Sequence, residues 1–323
     1  MLYRRITLFA LWALVFIVVT GAGVRLSGSG LGCPDWPTCQ AGRVVAPLEV
    51  RPWIEFGNRL VTGLVSLAVV VAVLGSFLRT PRRRDLTWLS VGLVAGVVGQ
   101  IVLGGAVVRS HLNPAVVQGH MVVSQLLVLD AVVLHHRAGR PGGPTVPMVA
   151  PALLRASRVL VGLTAAVIVA GTVVTGAGPH SGQVEGRFVE RLAITPHDAA
   201  RVHGTLVMAL LGLVLWMVWR LRRDNAPAGA LRAAEGLCTV LVLQGAIGYT
   251  QYFTGVPPLL VGLHVFGATV LWVVVVRFHL GLSEPPVGSR DSGGDPSDDR
   301  VLDDDAPSGR TGDRPLHHLV THR

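Results

Sequence analysis

The sequence predicts an all-α membrane protein in which eight transmembrane helices form two pseudo-symmetric four-helix bundles. Of the 323 residues, 50% are hydrophobic and 15% are charged, and the mean hydropathy is +0.55. Soluble domains carry about 25% charged residues, so the composition argues against a soluble enzyme. A bilayer-spanning helix needs roughly 20 apolar residues. Eight segments come close to that length: 6–24, 53–78, 86–108, 115–135, 156–177, 197–219, 233–253 and 258–280.

Arginine clusters between the apolar segments predict the orientation in the membrane. Arg4 and Arg5, Arg82–Arg84 and the pair Arg222 and Arg223 flank one set of helix ends, and the opposite loops carry fewer arginines. The positive-inside rule then places both termini in the cytoplasm. We therefore assign the basic charge to the bilayer surface and expect no nucleic-acid partner. The loops predicted to face outward are 25–52, 109–114, 178–196 and 254–257.

An internal repeat divides the chain into two halves, predicted as 1–140 and 150–283. The string Val19–Gly23 at the end of the first span returns as Val174–Gly178 at the end of the fifth. Each half holds an even number of spans, so both halves have the same orientation, as in other parallel-repeat membrane proteins. The tail 284–323 is polar and lacks apolar periodicity, which predicts disorder. No targeting segment precedes the first span, which favours a bacterial plasma membrane.

Three histidines, His120, His203 and His264, lie inside predicted spans. Ionisable groups at membrane depth usually face the interior of a bundle. Gln100 precedes His120 by 20 residues, and Gln244 precedes His264 by the same interval. His120 and His264 each follow a proline by six residues, which places them about 9 Å into their helices. His203 lies at a similar depth in the sixth span.

The second half therefore brings His203 and His264 to one level. Two imidazoles on facing helices of an apolar bundle are what a six-coordinate haem iron requires. A zinc site would need a third or fourth ligand, and no Cys or carboxylate stands nearby in the sequence. For each histidine taken alone, an interhelical hydrogen bond is the simpler alternative.

The first half differs from the second at one of these positions. Asn58 stands where the second half has His203, and an amide is a poor iron ligand, so only His120 remains. Glu55 lies one helical turn before Asn58 and shares its helix face. An acid in the first turn of a helix is also favoured by the helix dipole. This asymmetry predicts a cofactor site in the second half and a reaction site in the first.

The first outer loop, 25–52, contains Cys33 and Cys39. Five intervening residues, two of them proline, allow the chain to turn back far enough for a disulfide, and an outer location permits one. A structural disulfide, a thiol pair that cycles during turnover and a copper site are all open, although copper would lack further soft ligands. Cys238, inside the seventh span, is expected to be a packing residue.

The cysteine-loop string Val24–Pro37, the Glu55-x-x-Asn58-Arg59 motif and the three in-span histidines resemble the haem A synthase family. The resemblance covers about residues 5–280. It implies that the C-terminal bundle holds haem b through His203 and His264. It also implies that the N-terminal bundle takes haem O and oxidises a ring methyl to a formyl group, which gives haem A for aa3-type terminal oxidases. Asn58 departs from the family pattern, which has a histidine there.

In this family context, Glu55 is expected to be catalytic and His120 to bind the iron of the substrate haem. Arg25, Arg59 and Arg109 near the outer face are candidates for the haem propionates, with interfacial anchoring as their alternative. The expected partners are the lipid bilayer, haem O and a haem O synthase, the farnesyltransferase that makes haem O. Homo-oligomerisation is left open.

Two other classes of function remain at this stage. A haem-b electron carrier between a quinol and a partner would explain the paired histidines, but it leaves Glu55 and His120 without a role. A small-molecule transporter fits parallel repeats, although its polar groups would be expected near the midplane. The pigment that copurifies with the protein distinguishes the three classes.

Overall fold

The computed structural model describes residues 2–180 and 189–286. Within these ranges, eight helices are long and apolar enough to cross a membrane, which confirms the predicted fold class. Each helix contains its predicted span and extends beyond it at one or both ends. The helices are α1 (Leu2–Leu26), α2 (Val50–Leu78), α3 (Arg84–Arg109), α4 (Pro114–Ala138), α5 (Pro151–Ala177), α6 (Pro196–Arg223), α7 (Ala228–Phe253) and α8 (Pro258–Gly281).

Local sequence fixes where the helices that carry the in-span histidines begin. The helices α4, α6 and α8 start with proline, which suits a first turn because that position needs no N–H donor. The side chain of Asn113 accepts hydrogen bonds from the amides of Ala115 and Val116 at the start of α4. The hydroxyl of Thr195 accepts one from the amide of Asp198 at the start of α6. These caps set the depth of the histidines that follow.

The eight helices pack as two four-helix bundles, α1–α4 and α5–α8. In each bundle consecutive helices are neighbours and the last helix returns to the first, while α8 contacts α1 and α4 and links the bundles. At this junction the indole N–H of Trp272 donates to the carbonyl oxygen of Gln125 at 2.9 Å. The amide of Gln125 donates to the hydroxyl of Thr269 at 3.4 Å. Gln125 and Thr269 are equivalent positions of the repeat. Because they contact each other, the pseudo-symmetry axis that relates the two bundles passes between α4 and α8.

Burial confirms the register of the repeat for α2 with α6 and for α3 with α7. Each buried residue below has a buried counterpart, 145 positions later for α2 and 144 positions later for α3. The pairs on α2 and α6 are Val65 with Leu210, Val69 with Val214, Ala72 with Met217 and Ser76 with Leu221. The pairs on α3 and α7 are Leu86 with Ala230, Ser90 with Ala234, Leu93 with Leu237 and Val97 with Leu241.

The register of α1 with α5 differs from the predicted one. The hydroxyl of Thr7 lies 3.1 Å from Nδ1 of His135, and that of Ser157 lies 2.8 Å from Nδ1 of His279. These matching hydrogen bonds place Thr7 opposite Ser157, 150 positions later. The two similar strings Val19–Gly23 and Val174–Gly178 are 155 positions apart and therefore do not occupy equivalent places. The predicted alignment was wrong because similar short strings do not fix how a helix packs.

The start of the predicted disordered tail belongs to the folded part of the chain. A two-stranded antiparallel pair joins β1 (Val146–Pro147) to β2 (Ser283–Glu284). Glu284 pairs with Val146, which lies in the connection between the two bundles. The prediction of a tail from residue 284 onward was therefore wrong for Glu284, and residues 287–323 lie outside the described residues.

Candidate functional site

The imidazoles of His203 on α6 and His264 on α8 face each other inside the second bundle. Their ring centroids are 6.3 Å apart, with an angle of 70° between the ring planes. Nδ1 of His203 lies 3.0 Å from the carbonyl oxygen of Val167 on α5. When Nδ1 carries the proton and donates to this oxygen, Nε2 is left free to bind a metal.

Two glycines provide the space in which these imidazoles lie. A Cβ on Gly171 would stand 3.2 Å from Cε1 of His203, and one on Gly248 would stand 3.0 Å from Cε1 of His264. Gln244 donates to the carbonyl oxygen of His264 at 2.7 Å and ties α7 to α8 at this level. Nδ1 of His264 is buried without a hydrogen-bond partner. The two rings thus lie against the backbone of α5 and α7.

The geometry of the pair fits a metal that binds one imidazole on each side. Metal–imidazole bonds are about 2 Å long, so two nitrogens sharing a metal are about 4 Å apart and the ring centres about 6 Å apart. The described residues contain no group of three or more His, Cys, Asp or Glu placed to hold a metal ion. Two protein ligands without a third favour a metal whose other positions are already filled, as in haem.

The first bundle contains a cavity of about 550 Å³. Glu55, Asn58 and Arg59 of α2 and His120 of α4 line it, and parts of α5 and α8 close it on the side of the second bundle. A volume of this size is within the range of about 300–1,000 Å³ that small-molecule and cofactor sites occupy. The structure therefore brings the predicted first-half residues together around one space.

His120 in the first bundle has the same kinds of contact with the adjacent helix as His264 has in the second. Gln100 on α3 donates to the carbonyl oxygen of His120 at 3.0 Å, which matches the bond from Gln244 to His264. A Cβ on Gly104 would stand 3.8 Å from Cε1 of His120. Nδ1 of His120 is buried and has no hydrogen-bond partner. The 20-residue spacing between a glutamine and a histidine therefore corresponds to the same contact in both bundles: the glutamine side chain donates to the carbonyl oxygen of the histidine.

Asn58 occupies the position that His203 has in the second bundle. Its Oδ1 accepts a hydrogen bond from the hydroxyl of Thr20 on α1 at 2.9 Å. In both bundles this position of the second helix thus bonds to the preceding helix, since His203 lies within hydrogen-bonding distance of Val167 on α5. The cavity has one imidazole on α4 and one amide on α2.

Glu55 joins the start of α2 to the cysteine loop. Its carboxylate is buried and accepts hydrogen bonds from the amide of Cys33 at 2.8 Å and from the guanidinium of Arg59 at 2.6 Å. Arg59 also donates to the carbonyl oxygens of Cys33, Asp35, Pro37 and Thr38. The Glu55–Arg59 ion pair therefore fixes the loop above the cavity. The sequence predicted the residues but not this connection between them.

The cysteine loop forms the outer wall of the cavity. Cys33 and Cys39 are disulfide-bonded and fully buried, with Cα atoms 4.3 Å apart. Trp36, between them, lines the cavity and lies over Gly105 of α3, where a Cβ would stand 2.8 Å from the ring. Sequence reasoning missed Trp36 as a wall residue; its place between the two cysteines was the available signal. Cys238 is a free cysteine and half-buried.

The three predicted arginines differ in their surroundings. Arg25 lines the cavity and donates to the carbonyl oxygen of Thr175 at 3.3 Å, and its Nε is buried without a partner. Arg59 also lines the cavity, but its guanidinium is bound to Glu55 and the loop. Arg109 is exposed and lies over the ring of Trp36, with 5.8 Å between its Cζ and the ring centroid. Gln118, which the sequence analysis did not single out, lines the cavity with its Nε2 unpaired.

The fold and the site define a duplicated eight-helix membrane protein with facing imidazoles in one bundle and a large single-imidazole cavity in the other. The chain belongs to the COX15-CtaA family, described as cytochrome oxidase assembly protein, whose model matches residues 4–276. This match confirms the resemblance noted from the sequence.

Relatives with assigned names are consistent with this family. The chain is 26% identical over 272 residues to the protein named heme A synthase from Halalkalibacterium halodurans, covering 81% of this chain and 88% of the relative. It is 31% identical over 124 residues to the heme A synthase of Geobacillus kaustophilus, covering 35% of this chain and 38% of the relative. The heme A synthase of Shouchella clausii is 29% identical over 144 residues, covering 44% of this chain and 47% of the relative.

Proposed function

We propose that this protein is a haem A synthase, an oxidoreductase that converts a ring methyl of haem O to a formyl group. The observation that carries the proposal is the asymmetry of the two bundles. One has facing imidazoles at 6.3 Å, and the other has a cavity lined by one imidazole, one carboxylate and, at the position equivalent to His203, the amide of Asn58. Relatives named heme A synthase and membership of a cytochrome oxidase assembly family support it.

In the second bundle, residues 150–283, His203 and His264 would hold haem b through their Nε2 atoms. The ring separation and the glycines against both imidazoles support this assignment. When bound, haem b supplies one-electron transfer. The protein positions the two imidazoles through the contacts of His203 with Val167 and of His264 with Gln244.

In the first bundle, residues 1–140, the cavity would bind haem O with His120 as its iron ligand. Asn58 stands at the position of the second imidazole, so His120 would be the one imidazole available to the substrate iron, and the Asn58 amide would hydrogen-bond a water in the cavity. Arg25, with an unpaired buried Nε beside the cavity, is suited to a propionate. Arg59 and Arg109 would contribute by holding the cysteine loop and Trp36 at the outer wall of the cavity, where the propionates would lie.

Conversion of the methyl to a formyl group with one oxygen from water would release four protons and four electrons, and an electron acceptor outside the protein would take up the electrons. Glu55 is the one carboxylate among the described residues that line the cavity. Its carboxylate oxygen lies 2.6 Å from the guanidinium of Arg59. In this position it would stabilise positive charge that develops at the methyl carbon or orient water onto that carbon. The disulfide between Cys33 and Cys39 would keep the loop closed over the substrate, and its redox cycling stays a prediction.

We further propose a bacterial plasma membrane location with both termini in the cytoplasm and the cysteine loop outside, as the arginine distribution indicates. Haem O would reach the cavity from the bilayer or directly from a haem O synthase docked beside it. Assembly of several copies of the chain into a homo-oligomer is compatible with the same arrangement in the membrane.

The test is expression with and without a source of haem O, followed by extraction and chromatography of the bound pigment. Haem A formed only when haem O is supplied supports the synthase. Haem b alone in both conditions would identify an electron carrier and reject the proposal. The absence of any haem would favour a transporter and reject both haem assignments.

A further inference from the structure

The cavity of the first bundle continues past His120 toward the opposite membrane face. Its lining on α4 extends to Leu127, seven residues beyond His120, so its inner end lies about 10 Å below the imidazole. Val65 and Ser66 of α2 and Val97 of α3 line this inner part, which we call the deep end. The cavity therefore reaches about 10 Å below the level at which His120 would bind the substrate iron.

The second bundle fills the equivalent space with larger side chains. In the register set by burial, Leu210, Leu211 and Leu241 stand where the first bundle has Val65, Ser66 and Val97. Leu210 and Leu241 are buried in the core of the second bundle, and Leu211 packs against it. These three differences lie on α2 and α3, whereas on α1 the larger residue is in the first bundle, where Leu14 lines the cavity and its counterpart on α5 is Thr164. On α4 and α8 the paired residues Leu127 and Leu271 are identical, and nearer the outer face Ile101 is matched by Gly245.

The deep end is apolar even where its side chains carry hydroxyls. The hydroxyl of Ser66 donates to the carbonyl oxygen of Thr62 at 2.8 Å, and that of Thr62 donates to the carbonyl oxygen of Asn58 at 3.0 Å. Both donors are satisfied within α2, so they do not demand a polar ligand. Gly63 also lines the cavity, is exposed, and has no atom within 4 Å of the place its Cβ would take. Its counterpart in the second bundle is Met208.

We infer that the deep end binds the isoprenoid chain of haem O and that the chain passes into the bilayer beside Gly63. This inference rests on the proposed function, because it takes haem O as the substrate. It explains why only the first bundle lacks three leucines at this depth: the haem b proposed for the second bundle carries no such chain. Val65, Ser66 and Val97 are then the residues that select a haem with a long alkyl substituent over one without it.

The experiment introduces the leucines of the second bundle into the deep end by the double substitution Val65→Leu and Val97→Leu. The matched control is Val70→Leu with Val98→Leu, on the same two helices at positions that are 43% and 55% exposed. Purified membrane protein is titrated with haem O and with protohaem, and binding is followed by absorbance. A second variant, Ser66→Leu, tests the same space at a position where an added apolar side chain suits the membrane.

We expect the filled variants to bind haem O at least about tenfold more weakly, a change of 1.4 kcal/mol, while their protohaem affinity and second-bundle pigment match the control. Equal affinity of filled and control variants for haem O would overturn the inference and leave the proposed function intact. Equal weakening for haem O and protohaem would overturn it too, because a general loss of packing would then be the cause. A wild-type protein that binds haem O but forms no haem A would contradict the proposed function and not this inference.

A different observation carries a second inference at the opposite end of the first bundle. A cavity of about 320 Å³ is lined by Tyr3, Arg4, Arg79 and Arg140 together with the end of α4. Nη1 of Arg79 is buried without an acceptor. Asp85, in the first turn of α3, is bound to Arg83 at 2.6 Å and does not line this cavity. The guanidinium of Arg140 donates to the carbonyl oxygen of Ser283 at 2.7 Å, so Arg79 and Arg4, from separate elements, are the cations that would meet an anion with several oxygens in this pocket.

The neighbours of these arginines favour a lipid as the source of that anion. Leu2 and Leu78, adjacent in sequence to Tyr3 and Arg79, are 73% and 83% exposed. The pocket lies where α1 begins and α2 and α4 end, at the level of phospholipid headgroups. We propose that this arginine pocket binds the phosphate of an anionic phospholipid, with the acyl chains along the exposed leucines.

The test compares the thermal unfolding midpoint of the purified protein with phosphatidylglycerol, phosphatidylcholine or inorganic phosphate added. We expect phosphatidylglycerol alone to raise the midpoint of the wild type and of the Arg5→Gln control, because exposed Arg5 does not line the pocket. The Arg79→Gln variant should lose this increase. Equal stabilisation by inorganic phosphate would overturn the lipid assignment, and equal stabilisation of the Arg79→Gln variant would overturn the site.

Discussion

The imidazoles of His203 and His264 face each other at 6.3 Å although 61 positions separate them in the chain. Both residues lie in the seventh or eighth position of a helix that begins with proline. The caps and prolines at the helix starts thus set a common depth, and bundle packing turns the two rings toward each other.

Replacing either imidazole of the pair should remove the haem of the second bundle. We expect His203→Ala and His264→Ala each to abolish the low-spin absorbance of bound haem, because a single remaining imidazole cannot complete the axial coordination. The control is His111→Ala, in an exposed loop position. An unchanged low-spin spectrum in either pair variant would rule out ligation by that residue.

The glycine against His264 should be needed for haem retention. In Gly248→Ala, the new Cβ would stand 3.0 Å from Cε1 of His264 and displace the ring. Gly245→Ala is the matched control, on the same helix with nothing within 4 Å of its Cβ. Both changes favour the helix equally, so a lower haem content in Gly248→Ala alone reports the contact. Equal haem content in the two variants would show that the ring position is not critical.

The catalytic proposal for Glu55 is tested by Glu55→Gln in membranes supplied with haem O. We expect formation of formyl haem to fall by about a hundredfold, as when a preorganised electrostatic group is removed. The amide can still accept the hydrogen bond from Cys33, so the loop should stay closed. Glu49→Gln, at an exposed position with no side-chain capping bond, is the control. A rate equal to the control would make Glu55 a structural residue only.

Arg59 should protect the disulfide of the cysteine loop. Its guanidinium donates to four loop carbonyl oxygens and to Glu55, and hydrogen bonds to charged groups are worth about 1.5–3 kcal/mol each. In Arg59→Gln we therefore expect Cys33 and Cys39 to be reduced at least about tenfold faster, measured by thiol labelling after a timed exposure to reductant. Arg43→Gln, in an exposed part of the same loop, is the control. Identical labelling rates would mean that the loop is held by other contacts.

Asn58→His should make the first bundle resemble the second. The new imidazole would stand at the position equivalent to His203, opposite His120, and complete a pair. We expect the low-spin haem bound per protein to rise from about one toward two, as a pair of imidazoles binds iron in both bundles. Asn58→Ala, which leaves His120 alone, should show no such rise. A haem content unchanged in Asn58→His would mean that the position does not face the iron.

The sequence alone determined the eight spans, the duplication and the depth of each in-span histidine. These features follow from local properties: apolar length, helix rise and the residues that start a helix. It also identified Glu55, Asn58 and Arg59 as candidates, because their spacing places them near one helix face.

Tertiary structure alone decided which groups these residues meet. The binding of Glu55 and Arg59 to the cysteine loop, the true register of α1 against α5 and the room at the deep end all depend on packing between segments far apart in sequence. Helix rise fixes depth from neighbouring residues, but the direction a side chain faces and the volume left empty are set only when whole helices pack together.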